Sequence, residues 1–186
     1  DVLVELGYLT QSKSGALSVA APGRTLRRIY GERDLLVAES LRRGLWNKLD
    51  APALAAMAAS LVFEPRRDEG APNDRNLPGG SFREAYERTT DLWAVLDDLE
   101  REHRLPGTNP LSTGLTLAMH KWASGGSLDS ALSIADLAAG DFVRWTKQTI
   151  DLLDQLSVVA ASPVGGVARK ALDSIFRGIV AYSSVA

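Results

Sequence analysis

The chain has 186 residues, 45% of them hydrophobic, and its 21 basic and 23 acidic side chains leave a formal net charge of -2. This length allows one well-buried core and is small for two independent ones. The absence of cysteine excludes disulfides and thiolate metal sites, and two histidines are too few for a histidine-only metal site. The absence of cysteine also fits a reducing, cytoplasmic setting. No apolar run approaches the roughly 20 residues that span a bilayer, so no membrane segment is expected.

The first 30 residues form a lead-in segment whose pattern differs from the rest. Apolar and polar residues alternate on both sides of a cluster of Ser, Lys and Gly, which predicts a short β-hairpin. The chain also starts inside an apolar stretch, Val2 to Leu9, and without an initiator Met. We therefore expect it to be a segment of a longer protein.

Helical spacing of apolar residues prevails over 31–186 and predicts a bundle of about seven helices. The expected fold class is therefore all-α, with at most a short β lead-in and one bundle domain over 31–186. Pro, Gly and charged residues crowd the stretch 64–81. That composition predicts a long, mobile surface loop inside the bundle domain.

Capping residues predict where two of the central helices begin. Asp50 precedes an apolar run with Pro52 in its first turn, a combination that favours a helix N-terminus. Ser81 followed by Glu84 is a capping-box pattern, and the helix that it opens is predicted to run to about residue 103.

Two further helices are predicted toward the C-terminus. Ser127 caps a short helix that continues through residue 137. Ser162 and Pro163 are predicted as the cap and first-turn residue of the last helix. The inward side of that last helix is predicted to comprise Val167, Ala171, Leu172, Ile175, Phe176, Ile179 and Val180.

The penultimate helix, predicted over 140–156, has two contrasting sides. At about 100° per residue, half of the helical wheel is apolar and must pack in the core; it holds Phe142, Val143, Trp145, Thr149, Ile150, Leu152, Leu153 and Leu156. The narrower opposite arc is polar. The candidate contact residues on it are Arg144, Lys147, Gln148, Asp151 and Gln155. Two functions are possible for this polar arc: it is an ordinary solvent-exposed face, or it binds a ligand.

Most catalytic signatures are absent from the sequence. The chain has no GxxxxGK[ST] phosphate loop, GxSxG nucleophile elbow or HExxH zinc motif, so we expect no catalytic, cofactor-binding or metal site in it. The acidic residues at 97, 98, 100 and 102 point in different directions from one helix, which favours a solvated face over a cation site. His120 is predicted to be a partly buried packing residue, and most of the four tryptophans are predicted to lie in the core.

A helix-turn-helix arrangement over 127–153 is an alternative. A short helix, a turn near Ala139 and Gly140, and a longer helix bearing Arg144 and Lys147 have about the right proportions for duplex DNA binding. The acidic residues at 141, 151 and 154 count against it, because duplex readers depend on neutralising phosphates.

Six short motifs in a fixed order resemble those of a known family. They are "LGYL" (6–9), "GERDLLVAESLRRGLWNKL" (31–49), "ASLVFEPR" (59–66), "KWASGGSL" (121–128), "IADLAAGDFVRW" (134–145) and "RGIVAYSS" (177–184). Together they resemble the C-terminal DSHCT domain of DExH-box ATP-dependent RNA helicases of the superkiller and exosome-cofactor type, and in detail the actinobacterial HelY-like members. The resemblance covers nearly the whole chain.

The resemblance implies an accessory helical domain packed beside two RecA-like motor domains of the same parent chain, which hold the ATP and magnesium site and perform NTP hydrolysis. It further implies that 140–156 is the ratchet helix, which touches single-stranded RNA during unwinding and RNA processing. The family's RNA-facing basic and acidic pair falls on Gln148 and Asp151, and Gln148 stands where eukaryotic relatives carry Arg. A greater share of the phosphate contact is then expected from Arg144 and Lys147.

A protein-interaction module is the second functional class that the sequence allows. In that hypothesis the bundle docks the helicase onto partners through the Arg-rich stretch 24–43 and the loop 64–81. Balanced charge over the chain favours weak RNA binding by the isolated domain.

Overall fold

The fold is known from a computed structural model, which describes residues 2–26, 33–65 and 77–183. Within those residues it contains ten helices and one two-stranded antiparallel sheet, which confirms the predicted all-α class with a short β lead-in. The elements in chain order are α1 (Val2–Glu5), β1 (Leu9–Gln11), β2 (Leu17–Val19), α2 (Ala21–Leu26), α3 (Asp34–Arg42), α4 (Ala51–Val62), α5 (Ser81–Glu102), α6 (Thr116–Ala123), α7 (Leu128–Ala135), α8 (Ala139–Val159), α9 (Val164–Ile175) and α10 (Gly178–Tyr182).

The chain divides into two compact units. Unit 1 comprises 1–45 with 87–110, and unit 2 comprises 46–86 with 111–186, so helix α5 starts in unit 2 and continues in unit 1. The predicted boundary at residue 30 lies outside the described residues and stays a prediction. Most of the predicted mobile loop also lies outside them.

The predicted hairpin in unit 1 is confirmed and is tied to α3 by a buried polar network. Leu9 pairs with Val19 across the two strands. The buried hydroxyl of Tyr8 donates to Oε2 of Glu39 over 2.6 Å, and the guanidinium of Arg43 holds the other carboxylate oxygen at 2.9 Å. Burial, and then the neighbouring carboxylate, raises the pKa of Tyr8 well above its usual range. The phenol therefore stays a neutral donor that pins the hairpin to the helix.

The carboxyl group of Glu100, in unit 1, makes the stability of the protein depend on pH. Burial, followed by the charges of Asp97 and Asp34, raises the pKa of Glu100. Because the folded-state pKa is above the unfolded one, the stabilising contribution is complete in acid and is lost as pH rises through the folded-state pKa. Ionised Glu100 therefore opposes folding at neutral pH.

We expect Glu100→Gln to raise the melting temperature at pH 7, with a gain that shrinks to nothing as the pH falls below the ordinary glutamate pKa. Thermal unfolding at several pH values, with the exposed Glu102→Gln on the same helix as control, measures this gain. A gain that is equal at neutral and acidic pH would contradict the explanation.

Helix α4 is the centre of unit 2. Every residue from Ala53 to Leu61 is buried, as expected of a helix that is apolar all round. It packs against α6, α8 and α9, and its many alanines allow those neighbours to approach closely. The predicted cap is confirmed, since Oδ1 of Asp50 accepts the Ala53 N–H at 2.9 Å with Pro52 in the first turn.

Two other predicted helices are also confirmed, with small changes at their ends. Helix α5 runs to Glu102, close to the predicted residue 103. Ser127 caps α7 by accepting the Ser130 N–H, but the helix ends at Ala135 because Asp136 adopts the left-handed conformation (φ 53°). The turn predicted near Ala139 and Gly140 is wrong, because those residues begin α8 and the turn lies at 136–138.

The predicted start of the last helix is wrong. Ser162 is exposed and makes no capping contact; Pro163 occupies the cap position without a side-chain hydrogen bond. The first turn forms through the backbone instead, since the Gly165 N–H donates to the carbonyl of Ala161 at 3.2 Å.

The inward side predicted for the last helix is also partly wrong. Ala171, Ile175 and Val180 are buried as predicted, but Phe176 and Ile179 are 52% and 38% exposed. The reason is that α9 ends at Ile175, after which Arg177 is extended and Gly178, the first residue of α10, is left-handed. This break shifts the helical phase, so the 3.6-residue pattern does not carry across it.

Candidate nucleic-acid interface on helix α8

Helix α8 is held in unit 2 by its apolar side. The buried residues of that side face α9 and α4; they are Phe142, Val143, Thr146, Thr149, Leu152, Leu153 and Leu156. Trp145 and Ile150, which were predicted to be part of the same apolar half, are only half-buried. Trp145 packs edge-on against the ring of Phe63 at 5.2 Å between centroids.

The two buried threonines satisfy their hydroxyls inside the helix. Thr146 Oγ1 donates to the carbonyl of Phe142 at 2.7 Å, and Thr149 Oγ1 donates to that of Trp145 at 2.9 Å. Neither hydroxyl requires a partner from a neighbouring helix, so α8 seats a polar residue in the core without disturbing the packing.

Three of the five predicted contact residues form an exposed edge. Arg144, Gln148 and Asp151 are all exposed and recur at intervals of four and three residues, so their side chains follow one another along the same face of the helix. We call these three residues the exposed edge. It presents a cation, an amide and a carboxylate in a row.

Arg144 is oriented by two neighbours on its own helix. Its Nη2 lies 3.2 Å from Oδ1 of Asp141, and its guanidinium carbon lies 5.5 Å from the centre of the Trp145 ring. The guanidinium side chain remains 47% exposed, so the pair leaves donors available to a ligand. The spacing of three residues between Asp141 and Arg144 could have revealed this pair from sequence.

The remaining two predicted contact residues lie differently. Lys147 is half-buried, and its ammonium donates to the carbonyl of Ser183 at 2.6 Å, which ties the end of α10 to α8. Gln155 is half-buried as well and has a partner within the protein. The structure thus brings Arg144, Gln148 and Asp151 together at the surface and gives Lys147 an anchoring contact.

The other candidate residues show no assembled site. Asp97 is paired with Arg101 at 2.9 Å, and no cluster of three or more His, Cys, Asp or Glu side chains in the described ranges is arranged to hold a metal ion. Among these same residues, none of the helices combines the length and the apolar character that a bilayer crossing requires. His120 is half-buried, while Trp46 and Trp122 lie in the core as predicted.

The fold and the edge define a helical-bundle domain in which the long helix α8 is buried on one side and polar on the other. The DSHCT (NUC185) domain model matches residues 16–183. The chain therefore belongs to the DSHCT family, as the six motifs predict.

Its relatives include helicases that are much longer than this chain. Over 176 residues it is 40% identical to the probable helicase HelY of Mycobacterium leprae and 39% identical to that of Mycobacterium tuberculosis, which covers 89% of the chain and 19% of either relative. It is 31% identical over 142 residues to the chloroplastic DExH-box ATP-dependent RNA helicase DExH15 of Arabidopsis thaliana, covering 72% of the chain and 12% of the relative. The chain thus spans about a fifth of the length of the Mycobacterium helicases that it matches.

Proposed function

We propose that this chain is the accessory domain of an ATP-dependent RNA helicase and that the exposed edge of α8 contacts single-stranded RNA. The single observation that carries the proposal is the exposure of Arg144, Gln148 and Asp151 in one row on a helix whose opposite side is buried. Family membership and the helicase relatives support the same reading. ATP and magnesium would be bound by motor domains elsewhere in the parent protein.

The composition of the edge suits a grip that is released at each step. Arg144 supplies a cation for a phosphate, and Gln148 supplies a neutral amide that both donates and accepts hydrogen bonds. Asp151 repels phosphate and so limits the affinity. A motor that advances along a strand needs contacts that are weak and tolerant of sequence, because a tight contact would halt translocation.

We expect Arg144→Ala and Asp151→Ala to slow unwinding by the full-length protein, for opposite reasons. Arg144→Ala should weaken single-stranded RNA binding roughly two- to five-fold and lower the slope of log K against log salt by about 0.7, the value for one lost phosphate contact. Asp151→Ala should tighten binding, because a repulsive charge is removed. Filter binding across a salt series and a strand-displacement assay measure both effects.

Arg169→Ala is the matched control, since Arg169 is an exposed arginine paired with Asp173 at 3.7 Å on α9 of the same unit. It should bind and unwind as the unmodified protein does. Unwinding that is unchanged in both the Arg144 and the Asp151 variants would overturn the proposal.

A further inference from the structure

The segment after α9 is fixed to unit 2 at both of its ends. At one end, the guanidinium of Arg177 lies 3.6 Å from the centre of the Trp122 ring and donates to the carbonyls of Trp122 and Gly126 at 2.7 and 2.8 Å. At the other end, Lys147 holds the Ser183 carbonyl. Val180, between them, is completely buried. The backbone of α10 is therefore held in place along α8.

Tyr182 stands out on this anchored segment. It is 90% exposed, whereas the other exposed large apolar side chains of the described residues range from 38% to 63%. A tyrosine ring carries a large apolar face that proteins ordinarily bury. Here the backbone on either side is held, yet the ring is presented to solvent.

The backbone of Tyr182 adjoins a residue that is bonded to α8. Tyr182 immediately precedes Ser183, whose carbonyl is bonded to Lys147, and Lys147 adjoins Gln148 on α8. Consecutive Cα atoms are about 3.8 Å apart, so the Cα of Tyr182 lies at about that distance from the Cα of the anchored Ser183. Surfaces that bind single strands without sequence preference combine exposed aromatic rings with hydrogen-bonding and cationic groups.

We propose that Tyr182 is a base-stacking residue for the single-stranded RNA that the exposed edge contacts. The inference rests on the proposed function of α8. The edge holds the sugar-phosphate backbone of the strand, and the phenol ring takes one base of that strand on its face. Every base has a π-face, so the contact adds affinity without selecting a sequence.

A series at position 182 in the full-length protein tests the stacking contact. The probe is an oligouridine with one 2-aminopurine, whose fluorescence is quenched when the base stacks. Tyr182→Phe should bind and quench as the unmodified protein does, because the ring is kept. Tyr182→Leu should bind about five-fold more weakly, lose the quenching and leave the salt slope unchanged, because stacking neutralises no phosphate. Phe176→Leu, which alters another exposed aromatic ring of the unit, should behave as the unmodified protein.

The outcomes separate this inference from the proposed function beneath it. If Arg144→Ala lowers affinity and salt slope while Tyr182→Leu binds and quenches normally, the stacking role is overturned and the function of the edge stands. A second outcome would also overturn the stacking role. If Tyr182→Leu binds RNA and unwinds normally but Tyr182→Ser loses unwinding activity without any change in quenching, the side chain is an apolar protein-docking contact. If neither position 144 nor position 182 affects RNA binding, both proposals fail.

Discussion

Replacing Trp122 by Ala is expected to lower the free energy of unfolding by about 3–5 kcal/mol, the upper range for truncation of a core side chain. Trp122 is only 2% exposed. The ring of Phe142 on α8 meets its indole edge-on at 5.8 Å, and the Arg177 guanidinium covers its face. Its indole N–H donates to the carbonyl of Ile175, the last residue of α9, at 2.9 Å. Removal of this one side chain therefore weakens the contacts that α6 makes with α8, with the last residue of α9 and with Arg177, which precedes α10.

Denaturant unfolding followed by far-ultraviolet circular dichroism measures the loss. Trp122→Phe should cost less than Trp122→Ala, because an aromatic ring remains against Phe142 while the hydrogen bond to Ile175 is lost. Two variants of equal stability, or a Trp122→Ala loss under about 1 kcal/mol, would contradict a central packing role for this residue.

Two adjacent glycines at the start of α9 are expected to respond to alanine with opposite signs. A Cβ on Gly165 would lie 2.5 Å from the carbonyl oxygen of Ala160, whereas a Cβ on Gly166 would meet nothing within 4 Å. Gly165→Ala should therefore cost about 1–3 kcal/mol, because the turn between α8 and α9 must shift. Gly166→Ala should stabilise by up to about 1 kcal/mol, because alanine is the better helix former.

The adjacent pair is its own control, since both substitutions make the same chemical change in the same helical turn. Differential scanning calorimetry of the two variants gives the comparison directly. The packing argument fails if Gly165→Ala is as stable as Gly166→Ala. If it holds, Gly165→Ala also tests whether a shifted α9 disturbs RNA binding at the neighbouring helix α8.

Local chemistry explains which parts of the fold could be predicted. The Asp50 and Ser127 caps are confirmed because each side chain bonds a backbone N–H three residues away, so the signal and its partner lie in the same short stretch. The Ser162 cap is wrong because a backbone bond between Ala161 and Gly165 starts that helix. A serine before a proline does not reveal this alternative.

The candidate site likewise combines features that local sequence predicts with features that it does not predict. Exposure of Arg144, Gln148 and Asp151 follows from a 3.6-residue period that leaves one face of α8 polar. The contact of Lys147 with Ser183 joins residues 36 positions apart and was not predictable from that period. The exposure of Tyr182 depends likewise on where the segment after Ile175 runs.

The sequence by itself determined the helical class, the hairpin and the polar face of α8, because periodicity and capping act over a few residues. The order of six short motifs along the chain determined the family. Only the tertiary structure decided that Lys147 and Gln155, which lie on the same face, are half-buried. The physical reason is that a long side chain such as that of Lys147 points to solvent or to a distant carbonyl according to what the fold places beside it. The same contact of Lys147 anchors Ser183, the residue that follows the exposed Tyr182.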